Sequence, residues 1–103
     1  MDIKRAEIIE ELKKFKKKNH LEKIIFFGSR IKGRYHKYSD VDLLIVSPRF
    51  NKLKSFKRSP TIRLKWGLEF PVDMLCYTPK EFREQKNQPT IVREAIRTGI
   101  EIK

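Results

Sequence analysis

The sequence is poor in the features that mark several classes of protein. Its single cysteine, Cys76, excludes an internal disulfide and fits a reducing compartment. No apolar run approaches the roughly 20 residues that a membrane-spanning helix needs, and residues 1–5 lead into a charged helical pattern rather than a secretory signal. Four glycines and five prolines in 103 residues are too few for a low-complexity linker protein. We therefore expect a soluble cytoplasmic protein with one domain over residues 1–103.

Acidic side chains are scarce relative to basic ones. The chain carries 25 Lys and Arg against 13 Asp and Glu, a formal net charge of +12. Such an excess favours anionic partners, such as nucleic acid, nucleotide phosphates or an acidic protein face. A charge-rich surface of the thermophile type, on which the lysines are only solvated, explains the same composition. Charge alone therefore leaves the partner open.

Hydrophobic patterning predicts alternating helices and strands. Short apolar runs predict strands at 24–27, Val41–Val46, Val72–Tyr77 and, at an edge, Ile100–Ile102. Apolar residues at helical spacing predict helices over 3–18 and 90–98, with Gly99 as a stop. A Thr78 capping box predicts about two helical turns after it. One or two short helices, divided by Pro60, are expected within 51–66. This order predicts an α/β sheet of three or four strands, with Val41–Val46 central and helices packed on it.

Three aspartates form the candidate metal site. Asp40 and Asp42 are two apart on a predicted strand, so both carboxylates lie on one face, about 6.6 Å apart along the backbone. Asp73 lies near the start of another predicted strand, and it joins Asp40 and Asp42 if the two strands are neighbours. Glu69 is the alternative candidate for the third carboxylate. Clustered carboxylates repel unless cations separate them. A pair of Mg²⁺ ions about 3.5–4 Å apart resolves the repulsion and supports in-line displacement at phosphorus.

A phosphate-binding turn precedes these aspartates. Gly28 ends the first predicted strand and Ser29 opens a helical turn, which exposes backbone N–H groups that bind phosphate. Gly28 allows a close approach of the backbone, and the Ser29 hydroxyl can donate to a phosphate oxygen. Arg30 is the nearest cation to the turn and is the candidate for contact with a triphosphate. A simple helix cap at Ser29 uses the same geometry, so capping stays an alternative.

These residues resemble the signature of the nucleotidyltransferase superfamily typified by DNA polymerase β. The signature is a hydrophobic residue, Gly, and Gly or Ser, followed after about ten residues by two carboxylates that alternate with hydrophobic residues. The matching segments are Phe27-Gly28-Ser29 and Asp40-Val41-Asp42-Leu43. The longer pattern Phe-Gly-Ser-Arg-x-x-Gly … Ser-Asp-Val-Asp-Leu-Leu-Ile-Val, within residues 27–46, is most similar to the minimal nucleotidyltransferases of bacteria and archaea. A weaker similarity continues through residues 72–75 and 93–102.

The resemblance implies a polymerase β-like fold and an Mg²⁺-dependent transfer of a nucleoside monophosphate from a nucleoside triphosphate to a hydroxyl. In that scheme Asp40 and Asp42 bind two Mg²⁺ ions, and Asp73 assists as metal ligand and general base. Gly28 and Ser29 hold the β- and γ-phosphates. ATP is the expected substrate on the strength of the resemblance alone.

The same resemblance implies a protein partner. Minimal nucleotidyltransferases are commonly paired with small helical HEPN proteins in toxin–antitoxin systems. The nucleotidyltransferase is the antitoxin, and in some pairs it adenylylates a tyrosine of the toxin. A chain of this size has little surface to position a large acceptor, so a borrowed partner or an oligomer is expected. Two alternatives stay open: a non-catalytic module that neutralises a partner by contact, and a nucleic-acid-directed transferase or RNA-binding domain.

Other residues have plainer interpretations. The basic segment 52–65 is a solvated face, a nucleic-acid contact or a contact with an acidic partner. Cys76 is expected to be a buried apolar filler rather than a nucleophile, because it alternates with Val72 and Met74 on one predicted strand face. Trp66 is expected in the core.

Overall fold

The computed structural model describes residues 5–28, 41–67 and 72–103. Within these ranges the strands are β1 (Lys23–Phe27), β2 (Val41–Val46), β3 (Val72–Tyr77) and β4 (Ile100–Ile102). The helices are α1 (Arg5–Lys18), α2 (Ser55–Arg63), α3 (Pro79–Gln85) and α4 (Ile91–Thr98), and a 3-10 helix covers Pro48–Lys52. The expected α/β class is confirmed. None of the helices in these ranges is long and apolar enough to cross a membrane.

The four strands form one mixed sheet in the order β3-β2-β1-β4. β2 pairs in parallel with β3, whereas β1 pairs antiparallel with both β2 and β4. The central position predicted for β2 is confirmed. Five of its six residues are buried, because its apolar side chains alternate between two covered faces of the sheet. β4 is an edge strand, as expected.

Helices cover both faces of the sheet, and each face has its own core. We call them the α1–α2 face and the α3–α4 face. On the α1–α2 face, Phe26, Leu43 and Ile45 pack with Leu12 of α1 and Ile62 of α2. The α3–α4 face has a smaller core whose members are Ile25, Leu44, Val46, Val92 and Ala95. Phe82 of α3 packs against this smaller core.

The expectation that Pro60 divides segment 51–66 is wrong, because α2 continues through it. Proline lacks an N–H and normally disfavours a helix interior. Here Phe56, whose carbonyl would accept from position 60, lies on an exposed turn where water can serve as donor. Beyond the proline, Leu64 N donates to Pro60 O at 3.2 Å, and Ile62 is buried in the core. Tertiary packing therefore offsets the local cost.

Gly99 ends α4, as predicted, but its conformation is not the left-handed one in which helix-ending glycines are common. Its φ is −95°, which any residue adopts, and its N–H donates to Ala95 O at 2.8 Å. A Cβ at this position would lie 2.8 Å from both Phe26 O and Ile25 Cγ2. Glycine is required because the backbone passes directly against β1 there.

The substitution Gly99→Ala is expected to destabilise the fold by about 1–3 kcal/mol, the usual cost of overpacking. Gly67→Ala is the matched control, because a Cβ at Gly67 would meet nothing within 4 Å. Urea unfolding of both variants measures the difference. Equal stability of the two variants would contradict the close approach of α4 to β1.

A buried arginine joins α2 to the start of α3. Arg58, 9% exposed, donates from Nη1 to Glu81 Oε1 at 2.6 Å and from Nε to Leu53 O at 3.3 Å. Glu81 also accepts from Thr78 N, while Thr78 Oγ1 accepts from Glu81 N, so the predicted capping box is present. One carboxylate thus caps α3 and anchors α2.

Stability should depend on the ionisation of Glu81. The hydrogen bond from Arg58 lowers the pKa of Glu81 below its ordinary value of 4.5. A lowered pKa adds stability that is present above the ordinary value and is lost as pH falls through the folded-state value. Glu81→Gln should therefore be less stable than the wild type at pH 7, and the gap should shrink as pH falls below about 4.5.

Urea unfolding between neutral and acidic pH measures this gap. Glu84→Gln is the control, because Glu84 is an exposed residue of the same helix. The difference in stability does not come from the Arg58–Glu81 pair if it stays constant with pH, or if Glu84→Gln shows the same difference from the wild type.

Candidate functional site

The parallel pairing of β2 with β3 brings two of the predicted aspartates together. Asp42 is the register partner of Asp73, so the two lie side by side on neighbouring strands, whose spacing is about 4.8 Å. The sequence predicted that Asp73 joins Asp42 if their two strands are neighbours, and the structure pairs β2 with β3. Asp42 lies two residues before Leu44 on β2, and Asp73 lies two residues before Leu75 on β3. Because side chains two apart on a strand share a face, both aspartates lie on the α3–α4 face, to which Leu44 belongs.

The pair lies at an open end of that face. Asp73 is exposed and Asp42 is half-buried, whereas Leu44, the next residue of β2 on the same face, is fully buried. An apolar floor therefore lies behind the pair, and solvent reaches it from the β3 side. Neighbouring carboxylates that face solvent can share hard cations, because Mg²⁺ prefers oxygen ligands.

Gly28 follows β1 and lies against the carboxylate of Asp42. Its φ is +95°, in the region that favours glycine. A Cβ there would overlap Asp42 Oδ2 and lie 2.9 Å from Asp42 Cγ. The sequence predicted Gly28 as a point of close approach to phosphate. The structure adds a second requirement, because any side chain at this position would displace the carboxylate.

Sequence reasoning gave Phe27 no role beyond the hydrophobic position of the motif. The antiparallel register of β1 and β2 pairs Phe27 with Asp42, so Phe27, Asp42 and Asp73 form one row across the sheet. Phe27 also packs against the core of the α3–α4 face. It therefore fixes the end of β1 beside the carboxylates. Its signals in the sequence were its place at the end of the predicted strand 24–27 and directly before Gly28.

Several predicted site residues lie outside the described ranges. These are Ser29, Arg30 and Asp40, together with the rival carboxylate Glu69. Their roles stay predictions. Within the described ranges, no group of three or more His, Cys, Asp or Glu side chains is placed to hold a metal. The described part of the site is therefore the Asp42–Asp73 pair with Gly28 beside it.

Cys76 and Trp66 lie at the margin of the α1–α2 core, half-buried rather than fully buried as expected. Cys76 packs against the core of the α1–α2 face, and burial raises the pKa of its thiol from 9.0 to about 11. A thiol with that pKa is protonated at neutral pH and is a poor nucleophile. Trp66 packs edge-to-face on Phe15, with ring centroids 4.9 Å apart. Neither residue belongs to the site.

Residues 5–98 match the family model of the nucleotidyltransferase domain. The chain belongs to this family. The resemblance drawn from the two motif halves is confirmed, and the chain is a transferase of nucleotidyl groups.

Two relatives show the extent of the similarity. A protein of Methanocaldococcus jannaschii named "Putative protein adenylyltransferase" is 36% identical over 72 residues, which cover 64% of this chain and 73% of that protein. The crystal structure of "a putative nucleotidyltransferase" from Sulfolobus solfataricus superposes with a TM-score of 0.57. That likeness covers 77% of this chain and 74% of the other at 23% identity, and it supports the nucleotidyltransferase fold.

Gly28→Ala is expected to reduce nucleotidyl transfer far more than it reduces stability. The new methyl group would displace the Asp42 carboxylate, and a positive φ costs a non-glycine residue about 1–2 kcal/mol. The measurements are the transfer rate and the midpoint of urea unfolding, with Gly67→Ala as the control. Full activity of Gly28→Ala would contradict the proposed contact between Gly28 and the site.

Proposed function

We propose that this nucleotidyltransferase moves AMP from ATP to a hydroxyl group of a protein, in an Mg²⁺-dependent reaction. The proposal depends above all on the register of β2 and β3, which pairs Asp42 with Asp73 beside Gly28. The M. jannaschii relative, named as a protein adenylyltransferase, supports AMP as the transferred group and a protein as the acceptor.

The donor set fits Mg²⁺. Asp42 and Asp73 supply carboxylate oxygens from neighbouring strands, and Asp40 is two residues before Asp42. Hard oxygen ligands of this kind, together with substrate phosphates, are what Mg²⁺ takes in proteins. We assign Asp40 and Asp42 to hold two Mg²⁺ ions, with Asp73 as a further ligand. Bound there, the ions would neutralise charge on the carboxylates and the triphosphate.

The other parts of the proposed reaction involve Asp73 and the residues of the phosphate-binding turn. The acceptor oxygen attacks the α-phosphorus of ATP, the bond from that phosphorus to the bridging oxygen of the β-phosphate breaks, and pyrophosphate leaves. Asp73, which is exposed, takes the proton of the acceptor hydroxyl as general base. Gly28, Ser29 and Arg30 hold the leaving phosphates through backbone N–H groups, a hydroxyl and a guanidinium.

We further propose that the acceptor is a tyrosine of a HEPN-domain toxin and that this chain is the antitoxin. The support is the resemblance to minimal nucleotidyltransferases, which are commonly paired with such proteins. Residues 1–103 are interpreted as one minimal nucleotidyltransferase domain, acting in the cytoplasm where ATP is present. The match of the family model to residues 5–98 supports this interpretation.

The test is incubation with α-labelled ATP and Mg²⁺, with and without a HEPN-domain protein that co-purifies with this chain or is encoded beside it. Intact mass and label should show AMP added to that protein. Asp42→Asn and Asp73→Asn should each reduce the rate by about a hundredfold or more, because charge stabilisation in the transition state is lost. Glu84→Gln is the control and should transfer normally.

Two outcomes would contradict the proposal. No AMP on a HEPN-domain protein that demonstrably binds this chain would favour neutralisation by contact alone. Unchanged transfer by a variant carrying both Asp42→Asn and Asp73→Asn would show that the reaction takes place elsewhere.

A further inference from the structure

The outer side of α2 exposes an apolar stripe. Phe56 is 70% exposed, Leu64 is 89% exposed, and Pro60 between them is also exposed. The three residues are four apart, so they lie on one side of the helix. Ile62 and Arg58 are buried on the opposite side. We call Phe56, Pro60 and Leu64, with the cations around them, the α2 surface.

The cations of the α2 surface have no acidic residue near them in sequence, unlike Lys13 and Lys14 of α1. They are all exposed, and they comprise Lys52, Lys54, Lys57, Arg63 and Lys65. The sequence has no acidic residue between Asp42 and Glu69, and no ion pair found within the described ranges includes any of these five. In α1, by contrast, Lys13 and Lys14 each pair with a glutamate three residues earlier. The α2 surface is thus a concentrated positive charge around an apolar centre.

We infer that the α2 surface is the docking site for an acidic protein surface with an apolar centre. Protein interfaces have this anatomy, a desolvated apolar core inside a polar rim. Complementary charge on the rim would steer such a partner and exclude others. Nucleic acid fits less well, because single strands are held by stacking on successive aromatic rings, and Phe56 alone of these three residues provides one.

α2 packs along β3, the edge strand that carries Asp73. Arg58 Nη1 donates to Cys76 O at 3.5 Å, which places the first turns of α2 beside the carboxyl half of β3. Ile62 packs in the same core as Val72 and Met74, and only four residues separate Gly67 from β3, which begins one residue before Asp73. Because α2 covers the α1–α2 face and Asp73 lies on the α3–α4 face, a protein docked on the α2 surface would reach Asp73 only around the β3 edge of the sheet. Its role as the acceptor rests on the proposed function, but docking does not.

Docking is tested by NMR titration of the isotope-labelled full chain with synthetic probes, in the absence of nucleotide. The main probe is a helical peptide of about 18 residues, long enough to form a helix, with leucine on one face and glutamate elsewhere. It should shift the amide signals of residues 54–65 saturably. Two comparison peptides replace glutamate with lysine or leucine with serine, and neither should bind there. Single-stranded RNA of similar length is the fourth probe.

Variants of the α2 surface give the quantitative test. Phe56→Ser with Leu64→Ser should weaken binding of the leucine–glutamate peptide by about tenfold or more, because the apolar centre is removed. Lys57→Glu with Arg63→Glu should weaken binding of the same peptide to a similar extent, because it reverses two positive charges of the rim. Lys17→Glu with Lys18→Glu is the matched control, because it changes the net charge equally on exposed positions of α1. All these positions are exposed, so the unfolding midpoint should change little.

Three results would overturn the inference. One is the absence of saturable shifts with the leucine–glutamate peptide. Another is equal binding of the serine-substituted peptide, which would reduce the surface to unspecific charge attraction. The third is a response of residues 54–65 to RNA alone, which would assign the surface to nucleic acid.

The docking result is independent of transfer. A variant carrying Asp42→Asn and Asp73→Asn should bind the leucine–glutamate peptide as the wild type does. Binding without any transfer activity in the wild type would therefore count against the proposed function and leave the docking inference intact.

Discussion

The parallel pairing of β2 with β3 is the interaction on which the rest of this structure depends. It places residues 42 and 73, which are far apart in sequence, at the same level of the sheet. The same pairing aligns the apolar residues of β2 with those of β3, so burial of the core and assembly of the site are one event. A slip of one residue would turn every side chain of β3 to the other face, which would both expose the core and separate the carboxylates.

The two faces of the sheet have cores of different size, and the candidate site lies on the face with the smaller core. The α1–α2 face has the larger core, and all of its members are apolar. The α3–α4 face has a smaller core, and its open end carries Asp42 and Asp73. Clustered carboxylates destabilise a fold by mutual repulsion unless cations or solvent screen them. Their place at an exposed end, backed by Leu44, keeps that cost outside the core and leaves the pair accessible to substrate.

Much of the fold and half of the site followed from local pattern. The apolar run of β2, the capping box at Thr78 and the apolar spacing of α1 identified their elements, because each depends on neighbours in sequence. Gly28, Asp40 and Asp42 were recognisable for the same reason, as a motif with fixed spacing. The continuation of α2 through Pro60 was not predictable, because the burial of Ile62 on the sheet outweighs the local effect of proline. The need for glycine at position 99 depended on the distant atoms of Ile25 and Phe26.

The sequence by itself determined the class of fold, the nucleotidyltransferase motif and the chemistry that its carboxylates permit, because composition, periodicity and spacing are local properties. Only the tertiary structure decided that Asp73 meets Asp42, that the Gly28 backbone accommodates the carboxylate, and that the cations of α2 surround an exposed apolar stripe. These depend on strand order, register and the direction in which each helix packs. Strand order, register and helix packing are determined by which side chains the whole chain buries together. No single segment of the sequence carries that information.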